Sequence, residues 1–133
     1  MSLDQEVTEE KKAWRDVKYH QRFLNAFRGI YIIGKTTRHI CVHIISAVVV
    51  VALGFYFNIS NLEWCAVVFA IGLVFISEAF NTAIEIDIDL TSPEYHPYAR
   101  DTKDVAAAAV LLSAFVALTI GLIIFLPKVY KLI

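Results

Sequence analysis

The sequence predicts an all-α membrane protein in which an N-terminal amphipathic surface helix is followed by three transmembrane helices. The chain has 133 residues, of which 58% are hydrophobic and 19% are charged, whereas a soluble domain is typically about 45–50% apolar and about 25% charged. The charged residues almost entirely avoid three long stretches, which argues against a soluble enzyme. The net charge of −1 argues against a nucleic-acid-binding protein.

The N-terminal part divides into a polar tail over residues 1–21 and the start of a single domain over residues 22–133. Apolar residues recur there at helical spacing, with basic residues beside them. This pattern predicts an amphipathic helix at about 22–35 on the cytoplasmic bilayer surface. An ordinary soluble helix or a juxtamembrane linker is the alternative. The apolar stripe comprises Phe23, Phe27, Ile30 and Gly34, and the basic residues are Arg22, Arg28 and Lys35.

Three apolar runs predict three membrane spans. The first run, from Ile40 to Phe57, would rise about 27 Å as a helix, close to the ~30 Å hydrocarbon thickness of a bilayer. Its valines at 48–51 would favour a strand in water, but a lone strand in lipid leaves its backbone unpaired, so a helix is predicted. Ser60 or Asn61 is expected to cap the second helix. The predicted spans are 38–57, 62–86 and 104–126.

The distribution of basic residues predicts the orientation of the chain. Eight of the 12 lysines and arginines lie at or before Arg38, so the N-terminus should stay in the cytoplasm and the 58–63 connection should face outward. The loop over residues 85–104 then lies on the cytoplasmic side. Lys128 and Lys131 would lie outside, against the same rule, but the first helix usually dominates the orientation.

A narrow polar stripe crosses the cytoplasmic end of the second predicted span. At about 100° per residue, the side chains of Glu78, Asn81, Glu85 and Asp89 form one stripe about 80° wide if the helix extends that far. Asp87 lies on the opposite face. Each ionisable group inside a span costs at least about 2.5 kcal/mol. Hydrogen bonding between helices returns only about 0.6–2 kcal/mol per bond, so the stripe predicts a functional site.

A second polar group precedes the third span. The helix dipole accounts for Asp104 at a helix N-terminus, but Lys103 lies at the end where the dipole disfavours a cation. The residues Ala106–Ala109 that follow are small enough to let helices approach closely. Three helices with such a surface make a thin bundle, so a homo-oligomer is expected.

These residues together carry a resemblance to a known family. The bacterial integral-membrane diacylglycerol kinase and undecaprenol kinase family has the signature E-x-x-N-[ST]-A-x-E-x-x-x-D and then K-D, and this chain resembles it at Glu78–Glu85, Asp89, Lys103-Asp104 and Ala109-Val110. The resemblance covers roughly residues 22–126. It implies a homotrimer in the bacterial inner membrane with shared cytoplasmic active sites. It also implies phosphorylation of a lipid hydroxyl with ATP and Mg²⁺, giving phosphatidic acid from diacylglycerol or undecaprenyl phosphate from undecaprenol.

The resemblance also implies a role for each matched residue. Glu78 corresponds to the general base that takes the proton of the lipid hydroxyl, and Glu85 corresponds to a metal-ligating carboxylate. Carboxylates suit Mg²⁺, which takes one or two of them together with phosphate oxygens. Lys103 corresponds to a lysine that neutralises phosphate charge, as phosphoryl transfer requires. The positions that correspond to nucleotide-binding residues are Asn81, Glu85, Glu94, Tyr95, His96, Lys103 and Asp104.

One position departs from the family pattern. The first span of the family opens with E-R-N-x-x-x-H, whose Glu is a second metal ligand; here the Arg and the His match, but the Glu position is Thr37. A neutral hydroxyl is a weaker Mg²⁺ ligand than a carboxylate. Either Glu85 suffices with the substrate phosphates, or Asp89 or Asp101 substitutes, or activity is reduced or lost.

Two alternatives to an active lipid kinase follow. If Thr37 disables the site, the chain is a catalytically weak or inactive family member that acts as a membrane interaction or structural protein. The second alternative is a small transporter component that uses the same carboxylates as a proton or ion relay. Such a relay needs polar residues through the whole thickness of the membrane. The first and third spans offer only His43, Ser46, Ser113 and Thr119.

Two shorter patterns imitate known ligand motifs. Gly29–Thr36 matches the phosphate-loop pattern G-x-x-x-x-G-K-[ST], but such a loop must follow a strand and open a helix, and no strand is predicted before it. We therefore expect no nucleotide binding there. His39 and His43 have the i, i+4 spacing of a zinc pair, but no third ligand accompanies them, so a hydrogen-bonding role is favoured.

Overall fold

The computed structural model describes residues 18–36 and 39–132, and within these ranges the protein is entirely helical, without strands. This confirms the all-α fold class. The chain divides into two units, Met1–Lys35 and Thr36–Ile133. The helices of the described ranges are α1 (Tyr19–Thr36), α2 (Ile40–Tyr56), α3 (Asn61–Thr91) and α4 (Pro97–Tyr130).

Helix α1 covers the segment for which an amphipathic helix is predicted. It begins at Tyr19 rather than near residue 22; of the predicted tail, the part up to residue 17 lies outside the described residues. Gly29–Thr36 is helical throughout and therefore does not form the phosphate loop that its letters imitate. Helix α1 buries none of its side chains, and its position on a membrane surface stays a prediction.

Helices α2, α3 and α4 form the second unit. Helix α3 packs mainly along α4 and over a shorter stretch against α2. Most large apolar side chains of these helices are exposed, as expected of helices that are apolar on nearly all faces and that contact lipid. The buried apolar cluster that joins the unit comprises Ile59, Val67, Ile124 and Phe125.

Two of the described helices are long and apolar enough to cross a bilayer on their own. Helices α3 and α4 have 31 and 34 residues, and at about 1.5 Å per residue each exceeds the ~30 Å hydrocarbon thickness. Helix α2 has 17 residues and a length of about 26 Å, so it is the shortest candidate. The structure therefore supports two spans, and up to three if α1 and α2 together count as one broken span.

Helix ends differ from the predicted span ends. Helix α3 continues to Thr91, beyond residue 86, and α4 begins at Pro97 rather than at residue 104. Hydropathy marks only the membrane-embedded part of a helix, whereas the backbone hydrogen bonds continue through polar residues. Helix α4 also passes through Pro127 to Tyr130 instead of ending at residue 126, because membrane helices tolerate a proline where local adjustments satisfy the freed carbonyl.

Helix α2 ends in a Schellman motif, and the ring of Trp64 from α3 lies against the glycine of its last turn. The N–H of Ile59 donates to the carbonyl oxygen of Gly54 at 3.1 Å, and that of Asn58 donates to Phe55 at 3.2 Å. Asn58 has a φ of 48°, in the left-handed region that asparagine tolerates. A Cβ on Gly54 would lie 2.6 Å from Cη2 of Trp64, so this close approach requires glycine.

Helix α3 begins with a capping box. The N–H of Glu63 donates to Oγ of Ser60 at 3.3 Å, and the N–H of Ser60 donates to Oε2 of Glu63 at 2.7 Å, which confirms Ser60 as the cap. The Nζ of Lys128, near the end of α4, lies 2.9 Å from Oε1 of Glu63. The lysine that the orientation rule disfavours on this side therefore has a carboxylate partner.

Candidate active site

The polar stripe of α3 runs from a buried end to an exposed end. Glu78 and Asn81 are buried, with 4% and 9% of their surface exposed, whereas Glu85 is half-buried and Asp89 is exposed. Because α3 remains helical to Thr91, all four residues share the face that their spacing predicts. One helix face thus links a buried carboxylate to a carboxylate in contact with solvent.

Glu78 meets a histidine of α2. Its Oε2 lies 3.8 Å from Nε2 of His43, and the two side chains are 6% and 17% exposed. The imidazole also packs edge-on against Phe75, with ring centroids 6.5 Å apart. The spacing of residues within one helix does not predict a contact between two helices. In the sequence, only the match of His43 to the histidine of the family motif pointed to a role for this residue.

Asn81 holds Glu85 and keeps an unused acceptor. Its Nδ2 donates to Oε1 of Glu85 at 3.0 Å. Its Oδ1 is buried and has no hydrogen-bond partner among the described residues. Buried polar atoms are nearly always paired with protein, water or ligand, so this oxygen marks a place where a bound group is expected.

A cavity of about 270 Å³ lies where α3 ends and α4 begins. The Nζ of Lys103 on α4 pairs with Oδ1 of Asp89 on α3 across it. The structure thus brings together several residues of the predicted nucleotide site, and their roles remain predictions. Those that line the cavity are Glu94, Tyr95, His96 and Lys103, and Asp89, predicted as a possible supporting residue, lines it as well.

Other residues of the predicted site lie apart from this cavity. Asp104 follows Lys103 on α4 but is exposed and does not line the cavity. Asn81 and Glu85 lie nearer the buried end of the stripe. Thr37, the position where the family has a second metal ligand, lies outside the described residues.

Arg100 is a cavity residue that the sequence did not single out. It lines the cavity, and its Nη1 lies 3.5 Å from the hydroxyl of Tyr95. Its position three residues before Lys103, on the same helix face, is the signal that could have identified it. Asp101, a possible substitute metal ligand, accepts a hydrogen bond from Nη2 of Arg100 at 3.0 Å and is therefore already paired.

The acidic residues fit a metal ion that is held jointly with a nucleotide. Over residues 18–36 and 39–132, no group of three His, Cys, Asp or Glu side chains is arranged to hold a metal ion alone. Mg²⁺ does not need such a cage, because it usually binds through one or two carboxylates together with substrate phosphates and water. Glu85 offers an oxygen that Asn81 does not use, and Asp89 lies one turn further along.

A second cavity, of about 330 Å³, lies between α2, α3 and α4. His43 and Ser46 are the polar residues of its lining, and the remaining lining residues are apolar or glycine. Since His43 also faces Glu78, one imidazole separates apolar space from a buried carboxylate. A nonpolar molecule that carries a hydroxyl group would find a proton acceptor close to this space.

Comparisons with known proteins support the resemblance that the motif carries. The family model for prokaryotic diacylglycerol kinase matches residues 24–125. The undecaprenol kinase of Bacillus subtilis is 40% identical over 111 residues, which are 84% of this chain and 90% of that protein. The diacylglycerol kinase of Synechocystis is 32% identical over 83% of this chain and 63% of that protein. The diacylglycerol kinase of Pseudomonas aeruginosa is 33% identical over 74% of this chain and 71% of that protein. No solved structure matches the chain significantly.

Proposed function

We propose that this chain, which belongs to the prokaryotic diacylglycerol kinase family and is therefore a lipid kinase, phosphorylates undecaprenol. In this reaction the γ-phosphoryl group of ATP is transferred, with Mg²⁺, to the hydroxyl of the lipid. The observation that carries this proposal is the continuous stripe on α3. It joins buried Glu78, whose partner His43 lines the apolar cavity, to Asp89, which pairs with Lys103 at the cavity where α3 ends. A lipid hydroxyl and a water-soluble nucleotide can therefore meet along one helix face.

Glu78 acts in this proposal as the general base. Its carboxylate accepts the proton of the lipid hydroxyl as that O–H bond breaks, and the lipid oxygen bonds to the γ-phosphorus. The bond between the γ-phosphorus and the bridging oxygen breaks, and ADP leaves. A positioned base typically contributes about 10²–10⁴-fold to the rate.

Lys103 and Arg100 supply positive charge at the nucleotide side. Both line the cavity at the end of α3, and phosphoryl transfer depends on cations that stabilise charge on the transferred group. Asp89 holds Lys103, and we propose that the lysine exchanges this partner for a phosphate when nucleotide binds.

Glu85, with Asp89 as a supporting carboxylate, would hold Mg²⁺. When bound, the ion neutralises phosphate charge and fixes the nucleotide. Asn81 fixes one oxygen of Glu85, so the other oxygen is presented in a set direction. Thr37 leaves one carboxylate fewer than the family pattern provides.

Undecaprenol is the proposed acceptor because the kinase named for it is 40% identical and is covered over 90% of its length. Diacylglycerol is the second candidate, since the diacylglycerol kinases of Synechocystis and Pseudomonas aeruginosa are 32% and 33% identical over 63% and 71% of their lengths. The apolar cavity is compatible with a hydrocarbon chain of either lipid.

The membrane placement and assembly extend the same proposal. The basic N-terminal segment favours a cytoplasmic N-terminus and active site in the inner membrane of a bacterium. The small residues Ala106–Ala109 of α4 favour close association of helices, and the family resemblance implies that the assembly is a homotrimer. Cross-linking in native membranes would show a trimer band if this assembly is correct.

An acceptor panel tests the proposed reaction. Purified protein in mixed micelles receives labelled ATP, Mg²⁺ and either undecaprenol or diacylglycerol, beside an active control enzyme. We expect undecaprenyl phosphate to form at the higher kcat/KM. Higher kcat/KM with diacylglycerol would favour the second candidate. Absence of product from both lipids would favour the alternative, a catalytically inactive relative with a structural role.

A further inference from the structure

We infer that His43 is a positioning residue for Glu78: its Nε2–H donates to Oε2 of the carboxylate and leaves Oε1 directed at the acceptor hydroxyl. The inference rests on the proposed role of Glu78 as the base. It assigns a function to a residue of α2 that the stripe on α3 does not include.

The geometry of the pair supports this assignment. His43 lies in the first turn of α2, and Glu78 lies in the second half of α3. Nε2 of His43 lies 3.8 Å from Oε2 of Glu78, longer than a hydrogen bond of about 2.7–3.2 Å. Hydrogen bonds of catalytic groups are often long before substrate binds, and a shift of roughly 1 Å would close this one.

Two other polar side chains near the stripe have partners other than Glu78. Asn81 donates to Glu85, and Lys103 pairs with Asp89. Among the ion pairs of the described residues, Glu78 is matched with His43. A buried carboxylate needs a donor to offset the loss of its hydration, and this imidazole is in place to provide one.

The surroundings of His43 suit a fixed orientation. Phe75 contacts the imidazole edge-on, one turn before Glu78 on the same helix. The imidazole can therefore hold the carboxylate in one rotamer, whether it is neutral with hydrogen on Nε2 or carries a positive charge. A displacement of about 1 Å in a reacting group can cost about 10²-fold in rate, so such a contact affects kcat.

His43 also borders the apolar cavity of about 330 Å³. Truncating the side chain would extend this space up to Glu78, and free imidazole is small enough to enter it. This makes chemical rescue a direct test of the imidazole donor, because a purely structural role would not respond to added imidazole in the same way.

The experiment compares four variants by kcat, by KM for ATP and by KM for the lipid acceptor. H43A removes the ring, H43F keeps a ring of similar shape without a donor, and H43Q keeps a donor without a ring. H39A is the matched control, since His39 is exposed one turn earlier. Size-exclusion profiles and melting temperatures in detergent verify folding, and E78Q is measured in parallel.

We expect H43A and H43F to lower kcat by about 10- to 100-fold, with KM for ATP within about twofold of the wild type. H43Q should retain several times the kcat of H43F, and imidazole should restore part of the H43A rate but none of the E78Q rate. Wild-type kcat in H43F or H43A, or failure of both H43Q and imidazole to restore activity, would overturn the inference. If E78Q is inactive and H43F is fully active, only the positioning role of His43 is rejected. If E78Q is fully active, the assignment of Glu78 as the base is rejected as well.

Discussion

The side-chain amide of Asn81 donates from Nδ2 to Oε1 of Glu85 at 3.0 Å, one turn apart on α3. This bond fixes the half-buried carboxylate that we assign to the metal, and it leaves Oδ1 of Asn81 buried without a protein partner. A carboxylate that is oriented in advance loses less freedom when a metal-nucleotide binds.

Removing this amide should weaken metal-nucleotide binding. Loss of a residue that orients a metal ligand typically costs about 10–100-fold in metal affinity or activity. We expect N81A to raise the Mg²⁺ concentration for half-maximal activity by at least about tenfold. N61A, an exposed asparagine at the opposite end of α3, is the control. Equal Mg²⁺ dependence in N81A and the wild type would show that Asn81 does not orient the ligand.

Replacing Lys103 should lower the reaction rate more than replacing Asp89, its partner in the ion pair. K103M removes a cation from the proposed phosphate site, and loss of one such stabilising group costs about 10²–10³-fold in kcat. D89N frees the lysine and removes a carboxylate that we assign only a supporting role at the metal, so its loss should be smaller than that of K103M. Initial rates at saturating ATP measure both, with the exposed Lys131 changed to Met as the control. A K103M rate near that of K131M would exclude Lys103 from phosphate stabilisation.

Restoring the missing acid at position 37 tests how the site works with fewer carboxylates. In T37E a second carboxylate should lower the Mg²⁺ concentration for half-maximal activity several-fold, because carboxylates bind Mg²⁺ better than a hydroxyl. We expect kcat to change little, since in our proposal Glu85 and the substrate phosphates are sufficient to hold the ion. A rise from near-zero activity in the wild type would instead identify a chain that has lost its metal site.

Some features of the site and of the fold could be predicted from the sequence of a single helix. Glu78, Asn81 and Glu85 share a face because their spacing is three and four residues, and Ser60 caps α3 because a serine there can bond with Glu63. The meeting of His43 with Glu78 depends on how two helices pack, which no single-helix pattern contains. The early start of α4 at Pro97 escapes hydropathy for a different reason: its first turns lie among polar residues, where apolar content gives no signal.

The approach of Trp64 to Gly54 should make this glycine hard to replace. A Cβ on Gly54 would lie 2.6 Å from Cη2 and 2.9 Å from Cζ2 of that ring, so G54A should lower the free energy of unfolding by about 1–3 kcal/mol through overpacking. Gly72, where an added Cβ would meet nothing within 4 Å, provides the control. G72A should be neutral or stabilising by up to about 1 kcal/mol.

Thermal unfolding in detergent micelles compares the two glycine variants. The melting temperature of G54A should fall relative to the wild type, and that of G72A should not. A melting temperature of G54A equal to that of G72A would mean that the tryptophan ring moves aside without cost, and that the α2–α3 connection does not depend on this contact.

The single-turnover rate of phosphoryl transfer to undecaprenol, measured with saturating Mg²⁺ and ATP in wild type, E78Q and D87N, addresses the proposed base most directly. Asp87 is an exposed acid on the opposite face of the same helix, so D87N matches the change in charge without touching the stripe. We predict a loss of about 10²–10⁴-fold in E78Q with ATP affinity unchanged, and a D87N rate close to that of the wild type. An E78Q rate equal to that of D87N would contradict the assignment of Glu78 as the base.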